Sequence, residues 1–415
     1  MIWPLLSGLG RVGESRVSRQ RGFRAGGFKA IAGAMVVAAA LAACTPGGLD
    51  PGALAPGGGP VAGEVLGTGA VRVALLLPLS ATGNAGQIAR DMKNAADLAL
   101  REFQTAGIQI LVKDDRGTPE GARAAASAAI SEGAGLILGP LFAQSVTAAA
   151  SIAKPANIPI VAFSTDTSTA SRGVYLMSFL PQTDVDRVIR FAARQGKNSF
   201  AALLPANAYG TVVQAALQSA AAGAGGRIVA LETYNLDRVS MQEKATAIAG
   251  IVKQGTVNAV FIPDGGDATP FLAQVLAANG VLASQIRYLG SGQWNDSRII
   301  GESNLNGGWF PGPELAGFQA FAGRYKAAFG SEPARASSLA YDAVSLAAGL
   351  SGRFGASAFT DKVLTTPSGF IGIDGAFRLL ADGTNQRALA VYQIERGSAG
   401  VIDPAPKNFA KGAGL

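Results

Sequence analysis

From Val71 onward the chain alternates short apolar runs with longer amphipathic stretches, and this alternation restricts the folded part to βαβ units around a largely parallel sheet. Val71–Leu77 (VRVALLL) reads as a buried strand closed by Pro78. Ile88, Met92, Ala95, Ala99 and Phe103 then recur three or four apart, with Arg90, Lys93, Asp97 and Arg101 between them, which makes a helix with one core face and one wet face. A strand at 108–113 follows, and then Thr118 as a cap with Pro119 in a first helical turn. Strand-like runs at 136–138, 160–163 and 174–179 and a helix over 143–153 complete a first series. After Pro181 a second series repeats the pattern: a helix to Gln195, strands at 200–204, 227–232, 259–262 and 287–289, and helices at 208–222, 242–253 and 268–278. Two such series predict two lobes. The remainder differs, with helices near 314–329 and 337–352 and then strand-like runs over 370–394 broken by the turn signals Asp374-Gly375 and Asp382-Gly383.

Composition removes whole reaction classes. The chain has no histidine and a single cysteine, Cys44, so a Ser-His-Asp triad, a Cys-His pair, a His-ligated zinc and an internal disulfide are impossible. No catalytic constellation, metal or cofactor is expected. The net charge of +7 suggests nucleic acid until the charges are located. Arg11, Arg16, Arg19, Arg21, Arg24 and Lys29 precede an apolar leader and only Glu14 opposes them, leaving 29 basic against 27 acidic side chains from residue 44 on. No basic patch with interleaved aromatics remains to follow a phosphate backbone.

The basic segment 1–29, the small apolar run 30–43 (AIAGAMVVAAALAA) and Cys44 have the order of a secretory signal peptide, with an apolar run too short to span a bilayer. Leu41-Ala42-Ala43-Cys44 looks like a bacterial lipobox, which makes Cys44 the expected lipidation site. By resemblance to lipoprotein sorting in enteric bacteria, Thr45 rather than aspartate after it favours the outer membrane over the inner. Residues 44–70 then read as a flexible tether, because 45–70 holds 13 Gly or Pro in 26 residues. Two other patterns carry no chemistry. Gly8-x-Gly10-x-x-Gly13 lies in the leader with no strand before it, and Ser151-x-x-Lys154 lies at a helix end before Pro155 with no Lys-Thr-Gly elsewhere. Asp114-Asp115 reads as a solvated turn, since neighbours on an extended chain face opposite ways.

VALLLPLSATGNAG (73–86), LILGPLFAQSVTAAASIA (136–153), IPIVAFSTD (158–166) and GIDGAFRLLADGTNQRALAVYQIERG (372–397) resemble the type I periplasmic-binding-protein superfamily in its leucine-binding branch. LLLPLS, LILGPL and AFSTD are most similar to the penicillin-binding-protein activator lipoproteins. The resemblance implies an α/β fold of two Rossmann-like lobes joined by three crossovers, with lobe one over about 71–181 and 312–358, lobe two over about 182–311 and 359–400, and a tail at 401–415. It implies a non-enzymatic lipoprotein facing the periplasm. As an activator its partner is a penicillin-binding protein engaged in peptidoglycan synthesis. The alternative is the solute-binding protein of an ABC transporter for branched-chain or other amino acids, with a permease as partner.

In open α/β sheets, ligands sit beyond the carboxyl ends of the strands, where helix N-termini offer free N–H groups. The loops there make Ser80, Ser145, Ser164, Thr165, Tyr209, Asp264 and Trp294 the cleft candidates. By resemblance, Ser145, Ser164 and Thr165 fall where an amino acid's carboxylate and ammonium are held, with Tyr209 as a cleft aromatic from lobe two. Helix capping or packing on their own elements explains the same residues equally well. The family pattern places an acidic residue in the loop after the 287–289 strand, and Trp294 stands there instead. Asp264 is the remaining acid, although it also suits an N-cap. Weak or absent binding of leucine, isoleucine and valine is therefore expected.

Overall fold

The computed structural model describes residues 61–103 and 107–409. The expected leader, Cys44 and most of the tether lie outside them. Lobe one is built on a six-stranded sheet of β1 (Val65–Leu66), β2 (Val71–Leu77), β3 (Ile108–Asp114), β4 (Ile137–Leu138), β5 (Ile160–Ala162) and β6 (Val174–Leu176), in the order β1-β3-β2-β4-β5-β6. All neighbours are parallel except β1, which runs antiparallel to β3. Period-two alternation sorts β2 between two cores: Val73, Leu75 and Leu77 face α1 (Gly83–Glu102), while Ala74 and Leu76 face α2 (Pro119–Ser131) and α3 (Ala143–Ala153).

Lobe two starts with α4 (Pro181–Arg194) and carries β7 (Ser199–Pro205), α5 (Ala208–Gly223), β8 (Arg227–Tyr234), α6 (Arg238–Val252), β9 (Ala259–Phe261), α7 (Ala268–Ala278), β10 (Arg287–Leu289), the short α8 (Ser297–Ile300) and β11 (Trp309–Gly312). Its β7 divides in the same way, Ala201 and Leu203 facing α6 and α7, and Phe200, Ala202 and Leu204 facing α4 and α5. The chain then returns to lobe one as α9 (Leu315–Phe329), α10 (Ser337–Phe354), the short α11 (Asp361–Leu364) and an antiparallel sheet of β12 (Phe370–Gly372), β13 (Gly375–Leu379) and β14 (Asn385–Arg387). Finally β15 (Ala390–Glu395) pairs antiparallel with β11, and β16 (Ser398–Asp403) with β15, so the second sheet reads β16-β15-β11-β10-β9-β7-β8. The lobes are joined at 177–180, 313–314 and 388–389, which are the three crossovers.

The structure corrects four expectations. Residues 359–400 do not pass as a block to lobe two: Leu364, Phe377 and Leu379 are buried in lobe one's core with α10, and the chain joins the second sheet only at β15. Part of the supposed tether is a strand, in which Val65 and Leu66 lie opposite Leu111 and Ile110. Ala62 is also tied down, its carbonyl accepting from Lys113 Nζ and its N–H donating to Glu132, which pairs with Lys113 at 2.7 Å. The α6 helix starts at Arg238 rather than 242, because the Asp237 carboxylate accepts the Ser240 N–H at 2.9 Å as a cap. The sixth strand stops at Leu176, since 177–180 is the first crossover, and strands β11 and β16 are additional to those expected.

Candidate functional site

The crossovers meet beside a cleft of about 370 Å³ between the lobes. Its apolar walls come from Phe179, Pro181, Phe310, Pro313, Leu315 and Tyr392, and Phe310 stacks on Tyr392 with centroids 5.3 Å apart. Tyr392 donates its hydroxyl to the Pro313 carbonyl at 2.9 Å, which fixes that wall to the second crossover. Thr165, Asp184, Tyr209, Gln293, Asn295 and Arg335 bring polar atoms to the cleft.

Asp184 lies in the first turn of α4, where free N–H groups favour a carboxylate. Its Oδ2 accepts the Gly292 N–H at 2.9 Å. That approach requires glycine at 292, since a Cβ there would lie 2.8 Å from the same oxygen. Burial pushes the Asp184 carboxyl up to about 7, with the Gly292 N–H acting in the opposite direction. The cleft therefore holds a carboxyl that is poorly hydrated and gains by meeting a cation.

Across the cleft, Arg335 comes from the loop before α10. Its guanidinium forms a fork on Asp374 at 2.5 and 3.1 Å and lies between the rings of Phe318 and Phe179, at 4.3 and 4.7 Å. Ser338 donates to the same Asp374 at 2.7 Å. The Nε of Arg335 takes no part in these bonds.

Of the sequence candidates, Thr165 and Tyr209 line the cleft. Tyr209 donates toward the Pro263 carbonyl at 3.1 Å and Ser291 Oγ at 3.2 Å, and burial pushes its hydroxyl up to about 12. The others have different surroundings. Ser80 is exposed, its N–H on Asp114 at 3.3 Å. Ser145 is fully buried and its Oγ has no partner among the described residues. Ser164 is buried and accepts the Asp166 N–H at 3.1 Å. Asp264 accepts from the Tyr234 hydroxyl and the Gly265 N–H, both at 2.9 Å, and lines a separate pocket of about 320 Å³. Trp294 is buried in the core of lobe two, with Nε1 donating to the Ile262 carbonyl at 2.9 Å. Asp115, expected in a solvated turn, is buried, and burial pushes it up to about 6.

Asp264, the acid named from the sequence, lines the separate pocket, whereas the acid that lines this cleft is Asp184, which sequence reasoning missed. Its position three residues after Pro181, at a helix start straight after the first crossover, was the available signal. Arg335 gave none, because its place depends on β12 and β13 folding back onto lobe one. Among the described residues no group of three His, Cys, Asp or Glu could hold a metal ion.

Two α/β lobes joined by three crossovers thus flank a cleft lined by both apolar and polar side chains. The family model described as periplasmic binding protein matches residues 70–400, and the chain belongs to that family, with the type I, leucine-binding architecture. It is similar to a protein from Rhodospirillum rubrum assigned to a branched-chain amino acid ABC transporter (20% identity, TM-score 0.71, covering 80% of this chain and 99% of that one). It is also similar to the branched-chain amino acid periplasmic ligand-binding protein of Burkholderia xenovorans LB400 (15%, 0.65, 81% and 96%). A third is the solute-binding protein of Rhodopseudomonas palustris BisB5 in complex with 3,4-dihydroxybenzoic acid (20%, 0.56, 82% and 98%). No curated protein sequence matches the chain.

Proposed function

We propose that this protein is the solute-binding component of a transporter and that its cleft takes a small amino-acid-like solute for delivery to a permease. The observation that carries the reading is the pair of opposite charges, Asp184 and Arg335, lining one small apolar-walled cleft from its two sides. An ammonium fits against Asp184 and Tyr209, a carboxylate against Thr165 and the free edge of Arg335, and an apolar side chain against Phe310 and Leu315. Solved proteins of the same fold that carry branched-chain amino acids or a benzoic acid support a solute of this size. The competing role, activation of a penicillin-binding protein, has no counterpart among those structures and leaves the charged cleft without a use.

Calorimetry with free amino acids, aromatic carboxylates and peptidoglycan fragments tests the reading. Micromolar binding of an amino acid that is lost in Asp184→Asn supports it. Failure of every small solute, together with capture of a penicillin-binding protein, supports the activator.

The same reading places the protein on the periplasmic side of a membrane, held through acylated Cys44. Cys44→Ser should then release it into the soluble fraction. Retention on membranes after a salt wash would put the anchor elsewhere.

A further inference from the structure

Lobe one carries a second and larger cavity away from the cleft, a groove of about 870 Å³ along one face of α10. The helix contributes Asp342, Leu346, Gly349, Leu350, Arg353 and Phe354, just over three turns that span about 18 Å at 1.5 Å per residue. The facing wall mixes Val363, Phe370, Ile371 and Phe377 with Thr360, Thr366 and Ser368. Exposed large apolar side chains gathered in one groove mark a binding surface. Phe103, Phe354 and Ile371, which line it, are among the exposed large hydrophobic residues of the chain, at 40%, 41% and 81% exposure. There is room for a side chain at Gly349, where a Cβ meets nothing within 4 Å.

The groove adjoins a basic pocket of about 650 Å³, with which it shares Thr360 and Lys362. Lys154, Arg172 and Lys362 line that pocket against the single carboxylate of Asp361, which Arg172 and Tyr175 already engage at 2.6 and 2.7 Å. Arg353, exposed and 5.3 Å over the Phe354 ring, adds a further cation at the mouth of the groove. At the other end Asp342 is buried beneath Gly372 and accepts the Ile373 N–H at 2.8 Å, and burial pushes its carboxyl up to about 7.

We infer that this compound site binds a single anionic amphiphile, its tail lying along α10 from Arg353 toward Asp342 and its phosphate or carboxylate head in the pocket of Lys362, Lys154 and Arg172. Nothing in the solute cleft is used.

The test uses the purified full chain, stripped of lipid on an adsorbing resin and titrated by equilibrium dialysis with lysophosphatidylglycerol and with dodecanoate, each kept below its micelle concentration. Phosphatidylglycerol vesicles form a third arm. Saturable one-to-one micromolar uptake of a monomeric probe is expected, and the tighter of the two soluble probes identifies the head group. Gly349→Leu fills the groove and should weaken uptake at least about tenfold, and Lys362→Glu on the exposed rim should weaken it by a similar factor. Because Lys362 carries no core contact, that variant decides the matter if Gly349→Leu lowers the melting temperature. Uptake unchanged in Lys362→Glu, no saturable uptake below roughly 1 mM, or association with vesicles alone would each overturn the proposal.

Discussion

Replacing Asp184 with asparagine separates the cleft's service to a ligand from its cost to the fold. Asparagine keeps an oxygen for the Gly292 N–H and removes the ionisable proton. In the folded protein burial raises this carboxyl from 3.8 to about 7. Between these values the folded state holds a proton that the unfolded chain has released, so Asp184 lowers stability progressively as pH rises from about 4 to about 7, and the loss is constant above that. Each tenfold change in proton affinity is worth about 1.4 kcal/mol, which sets a ceiling near 4 kcal/mol. Water reaching the cleft reduces the expected gain in Asp184→Asn to about 1–2 kcal/mol, or about 2–4 °C in melting temperature. Thermal melts at pH 4 and pH 8 check this. The variant should match the parent at the lower pH and exceed it at the higher. For a ligand whose ammonium meets the ionised form, the same equilibrium weakens affinity about tenfold from pH 8 to pH 6. A variant less stable than the parent at pH 8, or a difference independent of pH, would refute the reasoning.

Three further outcomes follow from the packing. Gly292→Ala places a methyl 2.8 Å from Asp184 Oδ2 and should weaken amino-acid binding by about tenfold in calorimetry while leaving the helical circular dichroism unchanged. A fragment of residues 71–181 lacks Leu339, Val344, Leu346 and Phe377, all of which complete the core of lobe one, so it should show no cooperative thermal unfolding. Arg387→Met removes a buried guanidinium that bonds the Ser178 carbonyl at 3.1 Å and balances Asp342, and a loss of about 2–4 kcal/mol in urea unfolding is expected.

The βαβ series was legible because parallel strands covered on both faces read as continuous apolar runs, as VRVALLL and FAALL do. Less was visible where an element's place is set by distant chain. The strand at Trp309–Gly312 contains a proline and a glycine, and its pairing with both β10 and β15 is a tertiary fact. The small sheet of β12 to β14 shows its Asp-Gly turns in sequence, yet which lobe it covers depends on Phe377 and Leu379 finding α10. The site followed the same division. Hydroxyls on the loops after the strands could be enumerated, whereas Asp184 and Arg335 become neighbours of one cleft only through the first two crossovers.

Hydrogen bonds tie the crossovers to the two lobes. Asn385 donates to the carbonyls of Leu176 and Ser178, both at 2.8 Å, and Arg387 to Ser178, so β14 is laced to the first crossover on the side of lobe one. On the side of lobe two, Arg187 of α4 donates to the Leu389 carbonyl at 2.6 Å and reaches Asp403 at 2.8 Å. The third crossover is thus tied to lobe one at Arg387 and Ala388, the Ala388 N–H donating to the Ala376 carbonyl at 2.9 Å, and to lobe two at Leu389. Arg335 is carried by lobe one through Asp374 and Phe318, and Asp184 moves with α4 in lobe two. In the proposed solute-binding role, their separation is the quantity that closing of the lobes would change. A solute that touches only one of them gains nothing from the motion, whereas one that bridges them has a differential affinity for the closed state, the condition under which binding can shift a conformational equilibrium.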